Sequence, residues 1–149
     1  SVRIIHEESL GNDADDRLVM WSAAPKYEGK SAGVVVYRVL PDDSFSDEAP
    51  GLYRWVICGQ PSLHARSGDV FGAGSADVPE PMDIDPDDLE AKDGELILSA
   101  ARGLRFYFPR GGEWEQEEYE GGIPEILRAE ILLGEGSYVR TERFVNAQE

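Results

Sequence analysis

Cysteine, histidine and positive charge are all scarce in this chain of 149 residues. The one cysteine, Cys58, cannot form an internal disulfide, and His6 and His64 are the only histidines. Neither a structural zinc cluster nor an HExxH arrangement can be assembled from them. The GxxxxGK[ST] and GxGxxG patterns are missing, so nothing in the sequence matches the glycine-rich loops that cradle a phosphate. No run approaches the roughly 18 apolar residues of a membrane span, and the opening SVRIIHEESLGNDADD lacks the apolar stretch of a signal peptide. A cytoplasmic protein without cofactor, metal or membrane attachment is expected. Cys58 lies in the apolar run Trp55-Val56-Ile57-Cys58 and reads as a buried, inert thiol.

Acid is what the chain has in excess. Thirty acidic side chains face 14 basic ones, a formal charge of -16. Such a field repels nucleic acid and anionic membrane, and attracts basic partners over a Debye length of about 10 Å. Two tracts are densest. Asp77–Glu95 carries nine carboxylates against the single Lys92, and Glu113–Glu120 carries five glutamates with Trp114 and Tyr119 interleaved.

The length fits one domain, residues 1–149, able to bury roughly 70% of its unfolded surface. Strands are expected at Val2–His6, Arg17–Ala24, Ser31–Leu40, Leu52–Cys58 and Ser137–Val145. The run Val34-Val35-Val36-Tyr37 gives the strongest signal, since β-branched and aromatic residues pack well on a pleated surface. Leu52–Cys58 is polar on neither face and reads as a central strand covered on both sides. Glu95–Tyr119 reads as a meander of three strands punctuated at Arg102-Gly103 and Gly111-Gly112. Its middle run places Leu104, Phe106 and Phe108 on one face, with Arg105 and Tyr107 on the other.

Residues 59–86 show no durable periodicity. Asp85 as cap and Pro86 in the first turn announce a helix of about two turns. A longer helix is expected at Ile123–Leu133, where Ile123, Ile126, Leu127, Glu130 and Ile131 lie near one stripe. A strand beginning near Glu130 is the competing reading. Together these elements predict an α+β fold: a mainly antiparallel twisted sheet with the 123–133 helix against one face. The alternative is a small β-barrel or sandwich.

For chemistry, Asp83-Ile84-Asp85-Pro86-Asp87 opens like a calcium loop but has Asp88 where that loop needs glycine. Ser62, His64, Ser67 and Asp69 contain the residue types of a hydrolase, without any sign of a held geometry. Glu113, Glu115 and Glu117 alternate along one strand side, as on a charged edge that discourages aggregation. Arg105 and Tyr107 are expected either to cross-pair with Glu115 or Glu117, or to join Trp114, Tyr119 and Arg110 in an aromatic-basic spot.

The functional expectation is a non-enzymatic acidic protein that binds a basic protein partner, such as an inhibitor, immunity or antitoxin-like neutraliser of a nucleic-acid-acting protein. The partner-binding residues expected are Trp114 and Tyr119 as anchors, Glu115, Glu117 and Glu118 around them, and Asp83, Asp87 and Asp88 in the first tract. The alternative is a small hydrolase or small-molecule-binding protein using His64 with a carboxylate such as Asp69.

Overall fold

The computed structural model of the chain describes residues 2–6, 14–22, 33–58, 80–122 and 124–144. Ten strands account for most of them: β1 Val2–Ile5, β2 Arg17–Ser22, β3 Gly33–Leu40, β4 Gly51–Cys58, β5 Glu95–Leu98, β6 Ala101–Arg110, β7 Glu113–Glu115, β8 Tyr119–Gly121, β9 Ile126–Leu133 and β10 Tyr138–Phe144. They form a six-stranded sheet in the order β5-β4-β3-β2-β1-β8 and a four-stranded sheet in the order β10-β9-β6-β7. Every named pair is antiparallel.

One core lies between the sheets. Val2, Ile4, Leu18, Val39 and Leu52 from the larger sheet meet Leu104, Phe106 and Phe108 from β6. Leu127, Ala129 and Ile131 of β9 pack against the same cluster. Sandwich packing follows from alternation: β6 and β9 each turn every second residue inward. The outer face of the larger sheet is apolar as well. Val19, Val34, Val36, Leu40, Tyr53 and Trp55 form a second cluster, covered by Ile84, Leu89 and Ala91. Thus β3 and β4 contribute to both clusters, which is why their sequences are mostly apolar, with Arg38 and Arg54 the exceptions.

The main helix of the α+β expectation is absent. Residues 126–133 form β9, hydrogen-bonded between β6 and β10, and among the described residues the only helical pieces are single 3-10 turns. The helical stripe had to include Glu130. An extended chain instead sends Leu127, Ala129 and Ile131 to the core and gives Glu130 to the other face, where three polar side chains meet it. The strand also starts at Ile126, ahead of the position where a competing strand was expected. The fold is therefore antiparallel β in two sheets, which corrects the α+β reading and any description built on it.

Two smaller expectations also change. The helix at Asp85–Lys92 is replaced by separate 3-10 turns at Pro86–Asp88 and Ala91–Asp93, although Asp85 does accept from the Asp87 N–H at 2.9 Å. The 95–119 meander divides between sheets, because β5 pairs with β4 and only β6 and β7 pair with each other. Gly103 is inside β6 rather than in a turn, at a register shift beside Ala101. A Cβ there would stand 2.8 Å from the Ala14 Cβ, so the residue leaves room for the β1–β2 connection to dock.

Candidate functional site

The acid of the first tract is displayed by a segment that anchors itself with apolar residues. Pro81 and Pro86 are buried, and Ile84, Leu89 and Ala91 are half-buried, along 80–95. The prolines set the backbone for the 3-10 turns and alternate with outward-facing acids. All eight described carboxylates of the segment, from Glu80 to Glu95, are exposed. Arginines from the sheet hold it down. Arg17 and Arg38 reach the Asp87 carboxylate at 3.1 and 3.5 Å, Arg38 donates to the Pro86 carbonyl, and Arg3 donates to the Ile84 carbonyl.

The loop between β3 and β4 joins this face. Glu48 accepts a hydrogen bond from the Ala91 N–H at 3.2 Å, linking the two segments directly. Asp42, Asp43, Asp47 and Glu48 are all exposed, and Phe45 among them is 97% exposed. The loop is ordered by its own polar groups: Asp43 accepts from the Phe45 N–H, Ser46 Oγ accepts from the Glu48 N–H, and Tyr53 donates to the Ala49 carbonyl.

The second tract is more committed to the rest of the fold. The Arg128 guanidinium stacks 3.9 Å above the Trp114 ring. Tyr119 packs at a tilt against Phe108, 4.8 Å between ring centroids, and donates to the Gly122 carbonyl. Glu115 and Glu117 share Arg110; the Glu115 contact, at 3.2 Å, is an ion pair without hydrogen-bond geometry. Arg105 and Tyr107 turn to Glu130 on β9. Glu118 is different. It is exposed and lines an open cleft of about 470 Å³ with Asp83, Asp87, Arg3, Arg17 and Ile5. The structure thus brings Asp83, Asp87 and Glu118 around one cleft. Asp88 faces solvent on the same segment, while Trp114, Glu115, Glu117 and Tyr119 are engaged beside the smaller sheet.

Sequence reasoning missed two buried carboxylates. Asp16 is only 1% exposed and ties the sheets together: it accepts from His6 Nδ1 at 2.6 Å, the Phe106 N–H at 2.8 Å and Gln116 at 3.1 Å. Burial pushes its carboxyl up, and the Phe106, His6 and Gln116 contacts oppose this without cancelling it. An imidazole oriented by a carboxylate is also the base-and-orienter arrangement of hydrolases. Here the same carboxylate is the joint between β6 and the β1–β2 connection. His6 and Gln116 are 110 residues apart, so no local pattern announces the cluster.

Glu130 is 5% exposed and accepts from Tyr107 at 3.0 Å and from Arg140 Nε at 2.9 Å, with Arg105 3.8 Å away. Burial pushes its carboxyl up, but Arg140, Tyr107 and the Arg105 charge together hold it below the usual range. Its signal was visible: the two charges within Ile126–Leu133, Arg128 and Glu130, alternate with Leu127, Ala129 and Ile131 and so share the opposite face.

His64 and Asp69, with Ser62 and Ser67, lie outside the described residues. Among the described residues no group of three or more His, Cys, Asp or Glu side chains is placed to hold a metal ion. No helix among them is long and apolar enough to cross a membrane. No protein-family model, curated protein or solved structure matches the chain.

Proposed function

We propose that this is a non-enzymatic acidic protein that binds a basic protein partner, as an inhibitor, immunity or antitoxin-like neutraliser of a nucleic-acid-acting protein would. The observation that carries the reading is the joined surface of the 80–95 segment and the 42–48 loop. Asp42, Asp43, Asp47 and Glu48 flank Phe45, which is 97% exposed, and Glu48 ties this loop to the acidic 80–95 segment. Charge at this density steers a cationic surface toward the site, but tight interfaces also need an apolar group to desolvate. Phe45 supplies that group more readily than Trp114, whose ring already carries Arg128, or Tyr119, which packs on Phe108. Asp83, Asp88 and Glu118 extend the acidic rim. A reducing, cytoplasmic setting belongs to this proposal and rests on the single cysteine.

The test is capture of proteins from native lysate at low and high salt, using the parent chain, Phe45→Ser, and a variant with Asp42, Asp43, Asp47 and Glu48 neutralised. A basic protein that is retained at low salt and lost with either variant supports the proposal. Inhibition of that protein's nucleic-acid activity by the parent chain identifies the neutraliser role. Recovery of only acidic proteins, or equal retention by all three chains, overturns it.

A further inference from the structure

Residues 80–94 cross the outer face of the larger sheet as a strap, and its anchors follow the order of the strands. Arg3 of β1 donates to the Ile84 carbonyl at 3.4 Å. Arg17 of β2 and Arg38 of β3 meet the Asp87 carboxylate, and Arg38 also donates to the Pro86 carbonyl at 3.3 Å. Trp55 of β4 donates its indole N–H to the Glu90 carbonyl at 2.8 Å. The chain then enters β5, which pairs with β4 at the end of the same sheet. Four neighbouring strands are crossed in turn by one short stretch.

Alternation puts these anchors and the second apolar cluster on one face. Arg17 shares its side of β2 with Val19, and Arg38 shares its side of β3 with Val34, Val36 and Leu40. Ile84, Leu89 and Ala91 pack on that cluster from the strap. Contact is tight at the far end, where a Cβ on Gly94 would stand 2.6 Å from Trp55 Nε1. It is loose at the near end. The open cleft of about 470 Å³ lies between Met82–Asp87 on one side and Arg3, Ile5 and Arg17 on the other, so solvent already reaches Asp87.

What holds the strap differs from what holds the sheet. Its backbone hydrogen bonds run from Asp83 to Glu80, Asp88 to Asp85, Leu89 to Pro86, Asp93 to Glu90 and Gly94 to Ala91, each closing a single turn. Among the described residues, no backbone-to-backbone hydrogen bond joins residues 80–93 to a strand. Side chains make the attachments, so the strap can leave without opening a ladder. Letting go of Asp87 also strands no buried cation at Arg17. That side chain is only 5% exposed, but Asp15 stands 3.2 Å from the same nitrogen and remains there, while the half-exposed Asp87 returns to water.

We propose that residues 80–94 are a latched strap, with Asp87 as the latch, that opens and closes as one unit over an intact sheet. Opening uncovers the apolar side chains beneath Ile84, Leu89 and Ala91. With the strap closed the face is acidic; with it open the face is apolar around Trp55. The position of one segment thus decides the character of this surface, whatever binds the acid.

Hydrogen exchange of the full chain, followed by NMR, tests the strap residue by residue. Val34, Val35 and Val36 lie in β3, paired on both sides by β2 and β4, and report opening of the sheet. The amides of Asp83, Asp88, Leu89, Asp93 and Gly94 report the strap, and the Trp55 indole N–H reports it from the sheet side. The strap set should share one opening equilibrium, about a hundredfold or more above that of the β3 amides. Asp87→Asn should raise that equilibrium about fivefold and leave β3 unchanged. Asp88→Asn, the same change of charge one residue on, should alter it by less than about twofold. Gly94→Ala presses the other end against Trp55 without touching charge, and should release the same set by a common factor. Strap amides and a Trp55 indole that exchange as slowly as β3 overturn the proposal. So does a response confined to the neighbours of each substitution, an Asp87→Asn effect that spreads equally to β3, or an Asp88→Asn effect that matches it.

Discussion

Asp16 and Glu130 are both nearly inaccessible, at 1% and 5% exposure, yet the protein moves their carboxyls in opposite directions. Around Glu130 stand two arginines and a tyrosine hydroxyl, and their hydrogen bonds and charge together outweigh desolvation. Around Asp16 stand a backbone N–H, an amide and an imidazole, and desolvation prevails. Low exposure alone does not set the outcome: Asp16 lies deeper, at the joint between the sheets, while Glu130 is covered largely by the partners whose charge and hydrogen bonds favour its ionised form. The mechanical settings differ as well. Glu130 joins strands within one sheet, whereas Asp16 fastens the β1–β2 connection of the larger sheet to β6 of the smaller.

The comparison is broken most severely by Asp16→Ala. It leaves the buried Phe106 N–H without its acceptor and removes the hydrogen bonds that His6 and Gln116 make to this carboxylate. We expect a loss of about 3–5 kcal/mol in urea unfolding. Gly103→Ala attacks the same joint from the other side, because the new Cβ would press on Ala14 at 2.8 Å. About 1–3 kcal/mol should be lost, and a cost near zero would show that the Ala14–Asp16 connection yields easily. Glu130→Gln should cost less, about 1–2 kcal/mol, since an amide oxygen still accepts and Arg140, with its side chain 46% exposed, can regain water.

Acid sharpens the contrast through opposite signs. Glu130 titrates below its ordinary 4.5 in the folded state, so its contribution is present above that value and is lost as pH falls through the lower folded pKa. Asp16 titrates above its ordinary 3.8, so the native state binds this proton first and its contribution declines as pH rises through the raised folded pKa. Asp16→Asn should therefore steepen the loss of stability on acidification from neutral pH, and Glu130→Gln should flatten it. Equal slopes in equilibrium unfolding at several pH values would contradict the assignment. The smallest effect is expected from Arg128→Leu, which removes the cation above Trp114 and should cost about 0.5–1 kcal/mol in the same unfolding measurement.

Much of the strand content was legible because it depends on alternation. β2 and β3 fall within the stretches read as strands, β4 starts one residue ahead of Leu52–Cys58, and Leu104, Phe106 and Phe108 are buried together, as their spacing required. β9 was misread because Ile126, Leu127, Glu130 and Ile131 also satisfy a helical spacing. Over eight residues the two periods share many positions, and the deciding fact was which face could accommodate a charge. In the acidic tracts, composition located the carboxylates but could not distinguish Glu115 and Glu117, held by Arg110, from Glu118 at the cleft. Phe45 was passed over within an acidic loop, since exposure is a property of the surroundings rather than of the residue.

What the sequence determined by itself was local: alternating faces, the Asp85–Pro86 turn start, the density of acid and the excluded metal motifs. Each depends on neighbours within a few residues, where bond geometry and side-chain chemistry act directly. Only the tertiary structure decided that β5 leaves β6 for β4, that the 42–48 loop joins the 80–95 segment, and that His6, Asp16 and Gln116 meet. Those outcomes balance desolvation against hydrogen bonding between residues up to 110 positions apart, a balance that exists only after the two sheets have closed on their core.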